Sequence, residues 1–384
     1  MKKAGIDHTV LNADATRTKT YWKWERLYEN FQMFKDAVDG NSSLYYELAE
    51  QIVDLKPDTV IVGSGDIILS YVCLGNPYSG ANLASVLKKA GIKRVLGFGQ
   101  YVTMWEKWKS YKGYDGILIN GPSEKIVDVV CGDNKGVIDL GRFEPNVIPN
   151  FDDLVPSNQT SDVVISSVGC KFRCEFCLAR KLMPDMKFAN VDLFLDDVES
   201  RNKKKIFIGD TIFTIDKNRL MEICRRKEER KMNFEFVCES RVDTLTDEVC
   251  VTLKKMGCVA VKIGVESVSQ VALEGMGKKT DREKCNTAVV LLKKHGIGII
   301  VYAMLGGPGC TNETVEETYN WIKSIEPDWV VVSVWSDDLG SDPKYDAHFN
   351  PTGLKKWDVD ESWFFKMLEL RKNSDVSKVS NLIG

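Results

Sequence analysis

Val164-Ile-Ser-Ser-Val-Gly-Cys-Lys-Phe-Arg-Cys-Glu-Phe-Cys-Leu-Ala179 runs from an apolar strand into a loop that carries Cys170, Cys174 and Cys177. A helix or strand core gains nothing from three thiols so close together, whereas a metal centre needs them. Three thiolates hold three irons of a cubane [4Fe–4S] cluster and leave the fourth iron open to a small-molecule ligand. Structural zinc is the competing reading. Such zinc sites close with four ligands, usually paired Cys-x2-Cys or nearby His, and His8, His295 and His348 all lie far from the loop in sequence.

Downstream of this loop the chain alternates. Apolar runs at about 162–167, 205–209, 233–238, 259–265, 298–304 and 329–335 read as strands, and amphipathic stretches at about 190–201, 217–229, 246–256, 281–295 and 312–324 read as helices between them. Six strand and helix units predict a partial (β/α)6 barrel over 161–340, with chemistry at the carboxyl ends of the strands. The cysteine loop follows the first of those strands. A short extension, 341–384, ends in one predicted helix, Ser362 to Asn373.

Upstream, residues 141–160 hold three prolines and no period, the pattern of an extended linker. Residues 1–140 alternate as well, and predict an α/β, Rossmann-like domain with a parallel sheet. His8–Asn12 is a short strand candidate. Apolar residues at helical spacing, Leu27, Phe31, Phe34 and Val38, then Leu44, Leu48 and Ile52, predict two helices broken at Gly40. Asp58-Thr-Val-Ile-Val-Gly-Ser-Gly65, a helix from about Ala81 to Ala90, Lys93-Arg-Val-Leu-Gly-Phe-Gly99 and Asp115-Gly-Ile-Leu-Ile-Asn120 complete the domain. Glycines at strand ends (Gly63 beside Ser64, and Gly97 and Gly99) let backbone approach a flat or phosphorylated ligand. Plain turn chemistry uses them too.

Composition narrows the class. A chain of 384 residues, 43% hydrophobic and 28% charged, has ample material for a core. A net charge of −3 makes no electrostatic case for nucleic acid, and the Lys-rich runs alternate with acids, as solvated helix faces do. No apolar stretch reaches the roughly 18 residues of a membrane span, and the amino terminus lacks a secretory pattern. The protein is therefore expected in the cytoplasm, with no membrane partner. Of eleven cysteines, eight are scattered singly through apolar segments, as buried reduced thiols are.

With Phe176 as the aromatic, the Cys-x3-Cys-x-aromatic-Cys pattern resembles the signature of the radical S-adenosylmethionine superfamily. The resemblance implies a [4Fe–4S] cluster on the three cysteines whose open iron chelates S-adenosylmethionine and whose electron cleaves it to a 5′-deoxyadenosyl radical. Further segments resemble that family in order and spacing, especially its cobalamin-binding branch. In Ile206-Phe-Ile-Gly-Asp-Thr-Ile-Phe-Thr214, Gly209 and Asp210 stand where the family meets the methionyl amino group. In Phe236-Val-Cys-Glu-Ser-Arg-Val-Asp243, Glu239 and Arg241 would face the cofactor, and in Val261-Lys-Ile-Gly-Val-Glu-Ser267, Glu266 would meet its ribose or methionyl part. Ala303-Met-Leu-Gly-Gly-Pro-Gly-Cys-Thr311 resembles the adenine-flanking loop, with Gly306, Gly307 and Pro308; Cys310 departs from the acid usual there. Caps, solvated strand ends and, for Phe176, core packing are the bland readings of these positions.

The amino-terminal segments resemble the cobalamin-binding domain of that branch, with Gly63, Ser64, Gly97 and Gly99 on the ligand side. Two departures stand out. Asp7-His8 lacks the glycine of the usual cobalt-ligating motif, and Lys2 to Asp14 resembles that domain's first helix end and second strand, with no counterpart for its first strand. The resemblance implies a cobalamin-dependent methyltransferase acting on an unactivated carbon of a small molecule or peptide, served by an electron donor such as flavodoxin or ferredoxin. A non-methylating radical enzyme with a degenerate cobalamin domain is the alternative within the family. A non-catalytic iron–sulfur or zinc protein, or a cobalamin-sensing module, is the alternative outside it. Tyr101, Trp105, Trp335, Asp337 and Asp338 are weaker candidates for facing corrin or substrate.

Overall fold

The computed structural model describes residues 1, 4–11, 36, 38–63, 77–99, 113–120, 125–141, 145, 154–155, 163–177, 185–335 and 351–372. Two compact units divide the chain: Met1–Glu144 with Asn150–Thr160 and Asp342–Tyr345, and Pro145–Pro149 with Ser161–Ser341 and Asp346–Gly384. Each is an α/β unit with a parallel sheet.

In the first unit, β1 (Val10–Leu11) pairs in parallel with β6 (Leu154–Val155). The main sheet joins β2 (Thr59–Gly63), β3 (Arg94–Phe98), β4 (Gly116–Ile119) and β5 (Gly136–Asp139), all parallel and in chain order. The reversal of order that marks a doubly wound sheet is not found among the described strands. Helix α1 (Leu44–Asp54) presents Leu44, Leu48 and Ile52, four residues apart, to Val62, Leu83, Leu87 and Val95, with Leu83 and Leu87 coming from α2 (Pro77–Lys89). Leu96 and Leu118 pack with Val129 of α3 (Lys125–Cys131) in a second core. Alternate residues along β3 thus feed two different cores, as a parallel sheet with apolar packing on both faces requires. The first of the two helices expected on either side of Gly40 falls mostly outside the described residues.

In the second unit six parallel strands follow one another in chain order: β7 (Val163–Val164), β10 (Lys205–Ile208), β11 (Glu235–Arg241), β12 (Cys258–Glu266), β13 (Gly298–Leu305) and β14 (Trp329–Val334). Helices α4 (Val191–Ser200), α5 (Lys217–Glu229), α6 (Asp247–Lys255), α8 (Arg282–Lys294) and α9 (Asn312–Ile325) connect them. These elements lie within a few residues of the sequence expectation, because their start signals are real caps. Asn190, Asp216, Thr246, Asp281 and Thr311 each accept a backbone N–H of the following helix, a contact worth about 1 kcal/mol. One face of the sheet, with Ile206, Ile208, Phe236, Val261, Ile263, Val301 and Val330, is fully buried.

Several elements carry no periodic signal and went unpredicted. Strands β8 (Ser167–Val168) and β9 (Lys187–Phe188) form a two-residue antiparallel ladder, and α7 (Gln270–Gly275) follows β12. A 3-10 segment at Pro351–Trp357 is likewise new, and it precedes α10 (Ser362–Lys372), the helix expected from Ser362 to Asn373.

Candidate active site

The cysteine loop begins where β8 ends. Gly169 turns the chain at φ +86°, a left-handed conformation that glycine adopts without strain. Cys170 and Cys174 are 6% and 8% exposed and Cys177 is half-buried. Cys170 and Cys177 share an apolar cluster with Ile212, Phe172 and Ile215. Burial pushes the Cys170 thiol up, against the pull of the Phe172 N–H. Metal loading takes thiolates, so it is coupled to proton release. Among the described residues no three His, Cys, Asp or Glu side chains are placed to hold one metal ion. A cubane differs in using one thiolate per iron.

Arg241, at the carboxyl end of β11, completes this pocket. Its guanidinium donates to Cys174 Sγ at 3.6 Å, grips the Asp243 carboxylate through two 2.9 Å bonds, and lies 3.8 Å from the Phe172 ring centroid. Burial works against its charge, but Asp243 and the two thiols outweigh that and raise its affinity for the proton. A fixed cation therefore touches the thiol set.

Asp210, which the resemblance sets at the methionyl amino group, has its carboxylate held within the fold. It is 1% exposed, and its carboxylate accepts four hydrogen bonds: Ser166 N at 2.6 Å, Ser166 Oγ at 2.6 Å, Ser167 N at 3.0 Å and Ser167 Oγ at 2.7 Å. Four donors fill the acceptor capacity of a carboxylate. Gly209 N donates to Val164 O at 2.8 Å, so this pair braces the strand that launches the cysteine loop. Burial pushes the Asp210 carboxyl up, and the four donors oppose it.

Phe176 and the glycine loop after β13 are bridged by Trp335. Trp335 lies between them, its ring edge-on to Phe176 at 6.2 Å, packed with Met276 and Met304. Gly307, at φ +95°, admits that indole: a Cβ there would lie 2.5 Å from the ring. Cys310 Sγ accepts the Gly306 N–H at 3.1 Å, closing the loop, and Pro308 is exposed. Sequence reasoning missed the segment that ties the two loops together. Met276 O accepts the Glu175 N–H at 2.9 Å, and a Cβ on Gly275 would lie 1.9 Å from Pro308 O. The signal was Gly275-Met-Gly277, a flanked pair of glycines with no turn to explain them.

Glu266 also has a partner that sequence reasoning missed. A bulge after Gly264 and a φ of +62° turn its side chain to Lys278, at 2.9 Å, and the same ammonium donates to Gly264 O at 2.9 Å and lies 5.8 Å from the Phe176 ring centroid. A non-glycine residue in that region costs about 1–2 kcal/mol and persists where its surroundings fix it. Glu239 is half-buried and accepts the Tyr302 hydroxyl at 3.1 Å. Cys174, Arg241, Phe176, Gly307 and Glu266 thus gather at one end of the six-stranded sheet, while Asp210 serves as its brace.

The amino-terminal candidates are in the other unit. Gly63 and Gly99 lie at the carboxyl ends of neighbouring parallel strands, Gly99 at φ +121°. Gly97 is mid-strand and faces the Tyr114 ring, 3.1 Å from where its Cβ would be. Ser64, Tyr101, Trp105, Asp337 and Asp338 lie outside the described residues.

Comparison with known proteins adds a family. Residues 164–322 match the model of the Radical SAM superfamily. An uncharacterized methyltransferase of Pyrococcus horikoshii is 27% identical over 205 residues, 49% of this chain and 43% of that protein. The anaerobic magnesium-protoporphyrin IX monomethyl ester cyclase of Rubrivivax gelatinosus is 27% identical over 238 residues, 59% of this chain and 41% of that protein. This chain therefore spans less than half the length of either. Among solved structures, the radical S-adenosylmethionine methyltransferase TsrM from Kitasatospora setae, with tryptophan and a SAM analogue bound, superposes with a TM-score of 0.58 at 18% identity, over 77% of this chain and 65% of that one. A second structure of TsrM holds cobalamin and a [4Fe–4S] cluster. The likeness is one of fold.

Proposed function

The chain carries a radical S-adenosylmethionine superfamily domain over residues 164–322, and on that premise we propose that it is a cobalamin-dependent methyltransferase acting on an unactivated carbon. The substrate class is a small molecule or peptide, and the electron donor is a flavodoxin or ferredoxin. One observation carries the reading: Cys170, Cys174 and Cys177 occupy one short loop, with the Arg241 guanidinium on Cys174 and Phe176, Gly307 and Glu266 at the same sheet end. The six-stranded sheet is then a partial (β/α)6 barrel with its chemistry at the strand ends.

The donor set fits a [4Fe–4S] cluster, with one thiolate from each cysteine and a position left for S-adenosylmethionine. When bound, the cluster supplies the electron that cleaves S-adenosylmethionine, and a methylcobalamin supplies the methyl group that a carbon radical accepts. The protein's own part is placement. Arg241 neutralises charge beside the thiolates, the Asp210 brace fixes the loop's entry strand, and Lys278 aims Glu266. Gly306 and Gly307 admit the Trp357 and Trp335 rings, and Trp335 packs beside Phe176. Gly63 and Gly99 at neighbouring strand ends, together with the cobalamin bound by TsrM, support the second cofactor on the amino-terminal unit. A non-methylating radical enzyme is the second reading, favoured by the cyclase of Rubrivivax gelatinosus.

Anaerobic reconstitution of the full chain with iron and sulfide tests this. Dithionite and S-adenosylmethionine should yield 5′-deoxyadenosine from the wild type and none from Cys174→Ala, and the wild type should bind hydroxocobalamin stoichiometrically. Absence of 5′-deoxyadenosine would sink the radical-enzyme reading. Full turnover without cobalt would sink the methyltransferase alone.

A further inference from the structure

Strand β12 reads Cys258-Val-Ala-Val-Lys-Ile-Gly-Val-Glu266, and Lys262 is the charged residue in its middle. It is 8% exposed, with its ammonium 3.9 Å from the Phe207 ring centroid. Among the described residues that ammonium has neither a hydrogen-bond acceptor nor a carboxylate in ion-pair contact, although it carries three donors. A buried charge left in this state costs stability that an apolar side chain would not. Mid-strand burial of an incompletely partnered lysine points to use rather than to folding.

Its surroundings say what that use is. Register places Glu239 directly beside Lys262 on β11, and the Glu239 carboxylate is held by the Tyr302 hydroxyl from β13. Phe207, Glu239, Lys262 and Tyr302 come from four consecutive strands and share one face of the sheet. The opposite face is sealed, whereas on this one Glu239, Gly264, Tyr302, Val331 and Ser333 stay partly exposed in mid-strand among buried Phe207, Val237 and Ile300. Arg241, which touches Cys174, is two residues further along β11 than Glu239, roughly 7 Å at strand spacing. The face therefore lies within a small molecule's length of the thiol set. Burial lowers the proton affinity of Lys262 and raises that of Glu239, and the opposite charge of each neighbour only partly restores it.

We propose that this face is a substrate-recognition site in which Lys262 takes a carboxylate and Glu239, held by Tyr302, takes an adjacent N–H or O–H donor. The substrate is then an amino- or hydroxy-carboxylate. Lys262 and Glu239 are neighbours in register with no ion-pair contact between them, and a ligand with both groups satisfies the two side chains at once. What happens to the ligand rests on the radical-enzyme reading; its binding does not. The amino-acid end of S-adenosylmethionine has the same chemistry, so the test separates the two sources.

Saturation-transfer NMR on the reconstituted full chain with L-phenylalanine, 3-phenylpropanoate and L-phenylalaninamide provides that test, the ring protons serving as reporter. In the wild type the amide should bind at least tenfold more weakly than the amino acid. Lys262→Met should weaken both carboxylates at least tenfold while keeping or raising the melting temperature, since it replaces a buried ion by an apolar side chain of similar length. Glu239→Gln should weaken the amino acid at least threefold and leave 3-phenylpropanoate unchanged. The proposal is overturned if no probe binds, if the amide binds as well as the acid, or if Lys262→Met leaves the carboxylates unaffected. It is overturned also if saturating S-adenosylmethionine displaces L-phenylalanine, which would assign the site to the cofactor. Loss of fold in Lys262→Met would make Lys262 structural and count against it, with the Glu239→Gln and wild-type rankings still deciding. Release of 5′-deoxyadenosine by the wild type is scored separately: its absence removes the radical chemistry and leaves the binding result standing.

Discussion

Replacing Asp210 separates a brace from a cofactor contact. Asp210→Ala strips the acceptor from the Ser166 and Ser167 N–H groups in a site that is 1% exposed. Each orphaned buried donor costs about 1–3 kcal/mol, so the pair costs about 4 kcal/mol. That corresponds to roughly 8–16 °C in melting temperature for a unit of this size. Asp210→Asn is a different perturbation. Its remaining oxygen can keep both N–H bonds, and the two serine hydroxyls can rotate to accept from the new amide. Its cost should stay below about 1.5 kcal/mol on the same scale. Thermal unfolding by circular dichroism, with calorimetric titration of S-adenosylmethionine into the reconstituted chain, reads both quantities. The Asn variant should melt near the wild type and bind S-adenosylmethionine within threefold of it. An Asn variant that melts like the Ala variant would refute the hydrogen-bond count. One that melts normally but loses tenfold in affinity would assign Asp210 to the cofactor.

Three other outcomes are expected. Arg241→Gln removes a cation and an N–H donor from Cys174, so the reconstituted cluster should become harder to reduce by about tenfold, ~59 mV for a one-electron couple, in an EPR-monitored titration. Glu266→Gln leaves the buried Lys278 ammonium without its carboxylate and should cost about 3–5 kcal/mol in urea unfolding, most of it recovered in Glu266→Gln/Lys278→Met. In the first unit, burial tends to raise the Asp115 carboxyl, but the Val95 N–H and Lys88 outweigh it and hold the group below the usual aspartate range. Its contribution is therefore present above that range and is lost as pH falls through the lower folded value; urea titrations at neutral pH and at pH about 3 should show this loss in the wild type and not in Asp115→Asn.

The strand and helix pattern from Val163 to Val334 was legible because apolar runs mark the strands and Asn190, Asp216, Thr246, Asp281 and Thr311 cap the helices that follow them. Partnerships across the chain were not. Ser166 and Ser167 stand 44 and 43 residues from Asp210, and no local pattern announces that two hydroxyls will fill its carboxylate. Lys278 was likewise hidden from Glu266 by an unpredicted helix, too short to show a period. Lys262 is the opposite case. An ammonium inside an apolar strand was visible in the sequence from the start, and only the register with Glu239 gave it meaning. In the first unit the glycine pattern was visible too, yet Gly97 turned out to accommodate an aromatic ring.

The two faces of the six-stranded sheet also differ in what they let a sequence change. Residues such as Ile206, Ile208, Val261 and Ile263 are locked between sheet and helices, whereas Glu239, Tyr302, Val331 and Ser333 alternate with locked positions on the same strands. Tolerance to substitution should therefore oscillate with a period of two along this domain, and descendants of this scaffold can exchange one molecule for another by rewriting every second letter of a few strands while the architecture is inherited intact.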